Sequence, residues 1–219
     1  MKEIILIAAS YLFGSVPFGL IIAKMHGKNL RAIGSGNIGA TNLSRAVGRK
    51  WGIACFVLDF LKGLIPMLAA KHFIVPAVPA AVHLLLWLAV GTAAVIGHIL
   101  PVYVAFKGGK GVATSLGMVV GLWPFYAIPG LVCFVVWLIV LFTWRYMSLA
   151  SVAGAVVFPA VLTTFIALIP DWHFSRLWPL LLAAVLIAGL IVFLHRSNIK
   201  RLLAGTESKI LTGKKITAA

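Results

Sequence analysis

Acidic side chains are nearly missing from this chain: among 219 residues only Glu3, Asp59, Asp171 and Glu207 carry a carboxylate. Four scattered carboxylates build no oxygen cage for magnesium or calcium. Cysteine is as scarce. Cys55 and Cys133 both lie inside apolar runs, where a free thiol behaves as a small hydrophobe, so neither a disulfide framework nor a thiolate metal site is expected. The six histidines show no H-E-x-x-H spacing and the Cys/His pairs are too scattered for zinc. No G-x-S-x-G elbow of a serine hydrolase occurs. Nucleotide signatures are missing too: there is no G-x-x-x-x-G-K-[ST], and the G-x-G-x-x-G of Gly34, Gly36 and Gly39 follows no strand. The expectation is a protein with no metal and no cofactor.

What is present is apolar. Hydrophobic residues make up 62% of the chain and charged ones 11%, with mean hydropathy +1.10. Soluble domains are about half apolar, so the chain reads as an all-α integral membrane protein, one domain over residues 1–219. The net charge is +15, from 19 Lys and Arg. These cations sit in short gaps between apolar runs. Membrane lipid headgroups and phosphorylated substrates are therefore the expected partners, with no nucleic acid and no obligate protein partner. Met1–Phe13 lacks the basic n-region and A-x-A site of a cleaved signal and reads as a retained span.

A helix needs about 20 apolar residues to cross a hydrocarbon core of about 30 Å. The expected spans are 4–23, 51–70, 80–100, 112–122, 125–144, 148–169 and 177–194, separated by a polar connection over 24–50, a turn at 71–79 and a break at Trp123–Pro124. The segment 112–122 is short, and charge decides whether it crosses. If it does, one face receives fifteen Lys and Arg: Lys24, Lys28, Arg31, Arg45, Arg49, Lys50, Lys107, Lys110, Arg145, Arg196, Lys200, Arg201, Lys209, Lys214 and Lys215. The other face keeps Lys2, Lys71 and Arg176. If it does not cross, the two faces carry nine each. The positive-inside rule selects seven transmembrane helices, with the N-terminus outside and the C-terminus cytoplasmic.

Two polar glycine-rich loops then fall on the cytoplasmic face. The first, Ile33–Arg45, combines Gly34, Gly36 and Gly39 with Ser35, Asn37, Thr41, Asn42, Ser44 and Arg45; the second, Phe106–Thr114, sets Lys107 and Lys110 among Gly108, Gly109 and Gly111 and ends at Thr114. Flexible backbone, neutral donors and cations without a carboxylate suit an anion, above all a phosphate. A third polar segment, His195–Glu207, leaves the last span. Its cations serve as a stop signal, but His195, Asn198 and Glu207 are not needed for that. His195 and Asn198, three apart, share a helical face directed at whatever the loops hold.

Other features have plainer readings. Gly14, Gly19, Gly117 and Gly121 suit close helix packing. Asp59 and Lys62, three apart within a span, either pair with each other or contact the site, and the sequence leaves both open. His98 reads more readily as a satisfied structural histidine than as a catalytic one; His26, His72, His83 and His173 as loop or interface residues. Trp51, Trp87, Trp123, Trp144, Trp172 and Trp178 fall mostly near span ends, as interfacial belts require.

The segments GSGNIGATN with Arg45, GHILPVYVAFKGGKGVAT and HRSNIKRLLAGTE closely resemble the three signature motifs of the bacterial acyl-phosphate:glycerol-3-phosphate acyltransferases, the PlsY family. LDFLKG (58–63) and SLAS (148–151) are similar as well, and the match runs in order over nearly the whole chain. Two departures stand out: Ile38 occupies a position where the family has proline, and the chain extends past Glu207. The resemblance implies a seven-helix multi-pass protein of the bacterial cytoplasmic (inner) membrane. It implies transfer of a fatty acyl group from acyl phosphate to the 1-hydroxyl of sn-glycerol 3-phosphate, giving lysophosphatidic acid and phosphate without acyl-CoA or acyl carrier protein. In keeping with this, none of the histidines begins the H-x-x-x-x-D dyad of other glycerol-phosphate acyltransferases. It places Ser35, Arg45, Lys110, Ser148, His195 and Asn198 around the phosphates and glycerol, with His195 the candidate base and a substrate phosphate as its competitor. The rival class is a membrane transporter of a phosphorylated anion. That class expects midplane contacts and an internal repeat; no repeat is found, and the polar groups cluster at one face.

Overall fold

The computed structural model describes residues 1–210. Lys214 and Lys215, counted above with the tail, lie outside the described residues. The elements are helical, with no strand among the described residues: α1 (Lys2–Ser15), α2 (Phe18–Met25), α3 (Ala40–Val47), α4 (Arg49–Phe73), α5 (Ala81–Ile99), α6 (Val112–Gly121), α7 (Ala127–Trp144), α8 (Met147–Leu168), α9 (Phe174–Leu194) and α10 (Arg196–Leu203). Among the described residues, six stretches are long and apolar enough to cross a membrane: Lys2–Met25, α4, Ala81–Val104, α7, α8 and α9. Ten-residue α6 rises only about 15 Å at about 1.5 Å per residue, half a hydrocarbon core.

Two elements differ from the sequence-based expectation. The first apolar run is no single helix over 4–23. It breaks at Val16–Pro17, with Val16 extended (φ −60°, ψ 116°). Proline lacks an N–H, and its ring pushes the preceding residue out of helical geometry. Within the 24–50 connection, Ala40–Val47 folds as α3, and a 3-10 turn forms at Leu30–Ala32.

The chain divides into two compact units. The first comprises Met1–Phe73 and Ala89–Gly121. Here α4 and α6 meet backbone to backbone: a Cβ added at Gly63 would stand 2.0 Å from the Thr114 carbonyl oxygen, and one at Gly117 would stand 2.0 Å from that of Phe60. Gly14 packs as closely on Ala94, Gly19 on Ile38 and Gly121 on Met67, so these helix glycines serve packing as expected. An apolar plug of Ile22, Leu30, Ile38, Leu43 and Cys55 lies beneath the first glycine loop. Ile38, the departure from the family pattern, is one of its anchors.

The second unit comprises Ile74–Leu88 and the residues from Leu122 to the last described one. Successive helices α7, α8 and α9 pack side by side, and α10 turns back onto α8 and α9. The buried Tyr126 hydroxyl donates to the Leu180 carbonyl. Leu131, Val135, Ile139, Leu182 and Leu186 stay exposed along α7 and α9, as lipid-facing positions do. Of the tryptophans, Trp123, Trp144 and Trp178 are exposed, but Trp87 is fully buried and belongs to the core rather than to an interfacial belt.

Candidate active site

The first loop is built around Asn42. Its Nδ2 donates to the carbonyls of Leu30 (3.1 Å), Ile33 (3.0 Å) and Asn37 (2.9 Å), while its Oδ1 accepts from Ser35 N (3.1 Å). The side chain is 2% exposed and spends both ends of its amide inside the loop. Asn42 therefore shapes the first glycine loop, with its side-chain amide spent within it. Asn37 is turned inward too, its Oδ1 accepting from Gly39 N (2.9 Å). Gly34 and Gly36 adopt φ of 56° and 68°, where a Cβ is strained. Gly39 has φ −81° and simply precedes the first turn of α3. What remains towards solvent is the Ser35 residue, with Thr41 and Arg45 half-buried on α3. A Cβ on Gly34 would lie 3.9 Å from Arg45 Cδ, so the arginine stem runs beside the loop.

The second loop folds back on the end of α5. Gly108 N donates to the Ile99 carbonyl (3.1 Å) and Gly109 N to that of His98 (3.0 Å). Neither position has room for a Cβ: one on Gly108 would sit 2.1 Å from the His98 carbonyl oxygen, one on Gly109 2.1 Å from His98 Nε2. Ala105 and Phe106 hold left-handed φ of 54° and 59°, a strained conformation retained at the rim of the loop. Lys107 is exposed and Lys110 half-buried, with Gly111 (φ 77°) leading into α6. Thr114 is fully buried, and its hydroxyl donates to the Asp59 carbonyl (3.0 Å). It ties α6 to α4.

The two loops are joined. Arg31, in the 3-10 turn before the first loop, donates from Nη2 to the Lys107 carbonyl of the second. In the sequence Arg31 stands out only as one of the fifteen cations of the basic face. Nothing in its neighbourhood in sequence marks it, because its partner lies far along the chain. Asp59 and Lys62 do pair, at 2.9 Å and both nearly fully buried.

In the second unit, Glu207 gathers the tail motif. Its Oε1 accepts from Ser148 Oγ (2.8 Å) and Asn198 Nδ2 (2.7 Å), and its Oε2 from Arg201 Nε (2.7 Å). Burial by itself raises the Glu207 carboxyl pKa, but these three donors outweigh it and hold the group below the ordinary carboxylate range. Glu207 thus organises the side chains of Ser148, Asn198 and Arg201. His195, 3% exposed, stands at the junction of α9 and α10 with its Nδ1 2.8 Å from the Ile191 carbonyl. A carbonyl only accepts, so Nδ1 carries the hydrogen and Nε2 is the basic nitrogen.

A model of the glycerol-3-phosphate acyltransferase family matches residues 4–205. The chain belongs to that family. Glycerol-3-phosphate acyltransferases of Geotalea daltonii and Aquifex aeolicus are 46% and 43% identical to it, over 94% and 95% of this chain and 97% and 100% of theirs. Two crystal structures of PlsY (YgiH), an integral membrane glycerol 3-phosphate acyltransferase, superpose on it with TM-scores of 0.79 for the glycerol 3-phosphate form and 0.77 for the lysophosphatidic acid form. Their identities to this chain are 42% and 41%, each covers 95% of it, and 96% and 95% of those chains are matched. Membership of the glycerol-3-phosphate acyltransferase family agrees with the resemblance read from the three polar motifs.

Proposed function

We propose that this protein transfers a fatty acyl group from acyl phosphate to the 1-hydroxyl of sn-glycerol 3-phosphate, the first acylation of phospholipid biosynthesis. The hydroxyl oxygen attacks the acyl carbonyl carbon, the bond from that carbon to the phosphate oxygen breaks, and inorganic phosphate leaves. The product is 1-acyl-sn-glycerol 3-phosphate. The observation that carries this reading is the pair of glycine loops, bonded to each other through Arg31 and Lys107 and bearing Arg45, Lys107 and Lys110 without a carboxylate. Two phosphate dianions about 5 Å apart repel by roughly 13 kcal/mol at an effective dielectric constant of about 20. Cations and loop amides that oppose that repulsion also stabilise the charge gathering on the departing phosphate.

Acyl phosphate arrives activated, so positioning and charge stabilisation suffice without a covalent enzyme intermediate. His195 is assigned as the proton acceptor: its Nδ1–H bond to Ile191 leaves Nε2 with the lone pair a base needs. Asn198 and Ser148, held by Glu207, are assigned to the substrates' polar groups. The acyl chain lies between helices in the bilayer. We further infer seven crossings of a bacterial cytoplasmic membrane, with α6 as the short one and both loops on the cytoplasmic side. The close packing of α6 on α4 supports this, because a short crossing is tolerated where protein rather than lipid surrounds it.

The test is the purified protein in lipid with acyl phosphate and glycerol 3-phosphate, following phosphate release and lysophosphatidic acid, with acyl-CoA as control. Turnover with acyl phosphate alone is expected. Turnover with acyl-CoA in its place would overturn the donor assignment.

A further inference from the structure

We propose that Lys62, held by Asp59, is a positioning residue that fixes the second glycine loop; the proposal rests on the reading of that loop as a phosphate site. Lys62 is 1% exposed inside an apolar helix, and an ammonium there is costly unless every donor is used. All three are. Lys62 Nζ lies 2.9 Å from Asp59 Oδ1, 2.8 Å from the Val16 carbonyl oxygen and 3.1 Å from His98 Nδ1. His98 Nδ1 faces both members of the pair, 3.1 Å from Lys62 Nζ and 3.6 Å from Asp59 Oδ1.

Each contact leads to an element of the site. The Val16 carbonyl lies at the α1–α2 break, where it accepts from Phe18 N (3.1 Å) and from Lys62 Nζ, so the lysine ties α4 to the break in the first apolar run. The His98 ring, set by Lys62, lies against Gly109, and the His98 carbonyl accepts the Gly109 amide. Beyond the loop, Thr114 donates to the backbone carbonyl of Asp59. The ion pair thus holds the His98 end of the loop through Lys62, while the Thr114 end is tied to the main chain of the same helix. That explains why an ion pair is kept here, where a hydrophobic pair is often as stable. It is a clamp on the His98 end of the backbone that carries Lys107 and Lys110.

The test uses the full-length protein in lipid nanodiscs. Lys62→Met alone strands a buried carboxylate, so the informative variant is the double Asp59→Asn/Lys62→Met, which removes both charges. Expected are a melting temperature near wild type and amide exchange over 105–111 that rises about tenfold. KM for glycerol 3-phosphate or acyl phosphate should rise about tenfold with kcat within about threefold, since only placement of the loop is lost. His98→Leu leaves the ion pair intact and is expected to loosen the same segment, which covers the case in which the double variant fails to fold. Unchanged exchange over 105–111 in the folded double variant or in His98→Leu overturns the proposal. So does an equal rise across α7–α9, which marks a general loss of stability. Exchange is measured without substrate, so failure of the wild type to use acyl phosphate would sink the function and leave this inference decided separately.

Discussion

Replacing Asn42 separates a loop organiser from a phosphate ligand. Its Nδ2 carries two hydrogens and faces three carbonyls, and its Oδ1 holds the Ser35 amide. A buried hydrogen bond contributes about 1 kcal/mol net, and a buried partner left unpaired costs about 1–3 kcal/mol. Asn42→Ala therefore weakens the closed loop by roughly 3 kcal/mol, which is about a hundredfold in its opening equilibrium. Asn42→Asp is nearly isosteric and worse, because it turns a carboxylate oxygen towards the carbonyls of Leu30, Ile33 and Asn37. The assay is amide exchange of the protein without substrate, read over residues 33–42. Exchange is expected to rise about a hundredfold there in the alanine variant and further in the aspartate variant, with α7–α9 unaffected. A residue that merely bound phosphate would leave the empty loop unchanged. That result would refute the reasoning.

Three further outcomes follow from the same geometry. Glu207 has a depressed carboxyl pKa, so its contribution to stability is present above the unfolded value of about 4.3 and is lost as pH falls through the lower folded value; a pH series of melting temperatures should show this acid loss in the wild type and not in Glu207→Gln. Gly63→Ala drives a methyl into the Thr114 carbonyl 2.0 Å away and should cost several degrees of melting temperature, about 1–3 kcal/mol, whereas Gly189→Ala, with nothing within 4 Å, should be neutral. His195→Asn should lose transfer as His195→Ala does while glycerol 3-phosphate still binds; activity retained by the asparagine variant would move the proton to a substrate phosphate.

The apolar helices were legible because their signal is long and uniform: α7, α8 and α9 begin and end within three residues of the expected spans. The break at Val16–Pro17 was not, because a proline inside an apolar run is ambiguous. Pro66, Pro159 and Pro179 sit within helices that continue through them. At Pro17 the helix breaks, and Lys62 binds the Val16 carbonyl there from another helix. The loops were legible as glycine and donor-rich segments. The inward or outward direction of each donor was not, since Asn42 and Ser35 look equally suited to a phosphate until the carbonyls of Leu30, Ile33 and Asn37 are in place. Likewise the Asp59–Lys62 spacing announced a pair, but His98, distant in sequence, could not be attached to it.

The central claim is a cytoplasmic anion site assembled from both glycine loops. In a protein lacking its two native cysteines, Ser35→Cys and Lys107→Cys are labelled separately with a membrane-impermeant maleimide from either side of sealed vesicles, with and without glycerol 3-phosphate. Both positions should react from the cytoplasmic side alone, and glycerol 3-phosphate should slow both. Labelling from opposite sides, or rates at both positions that ignore glycerol 3-phosphate, would contradict it.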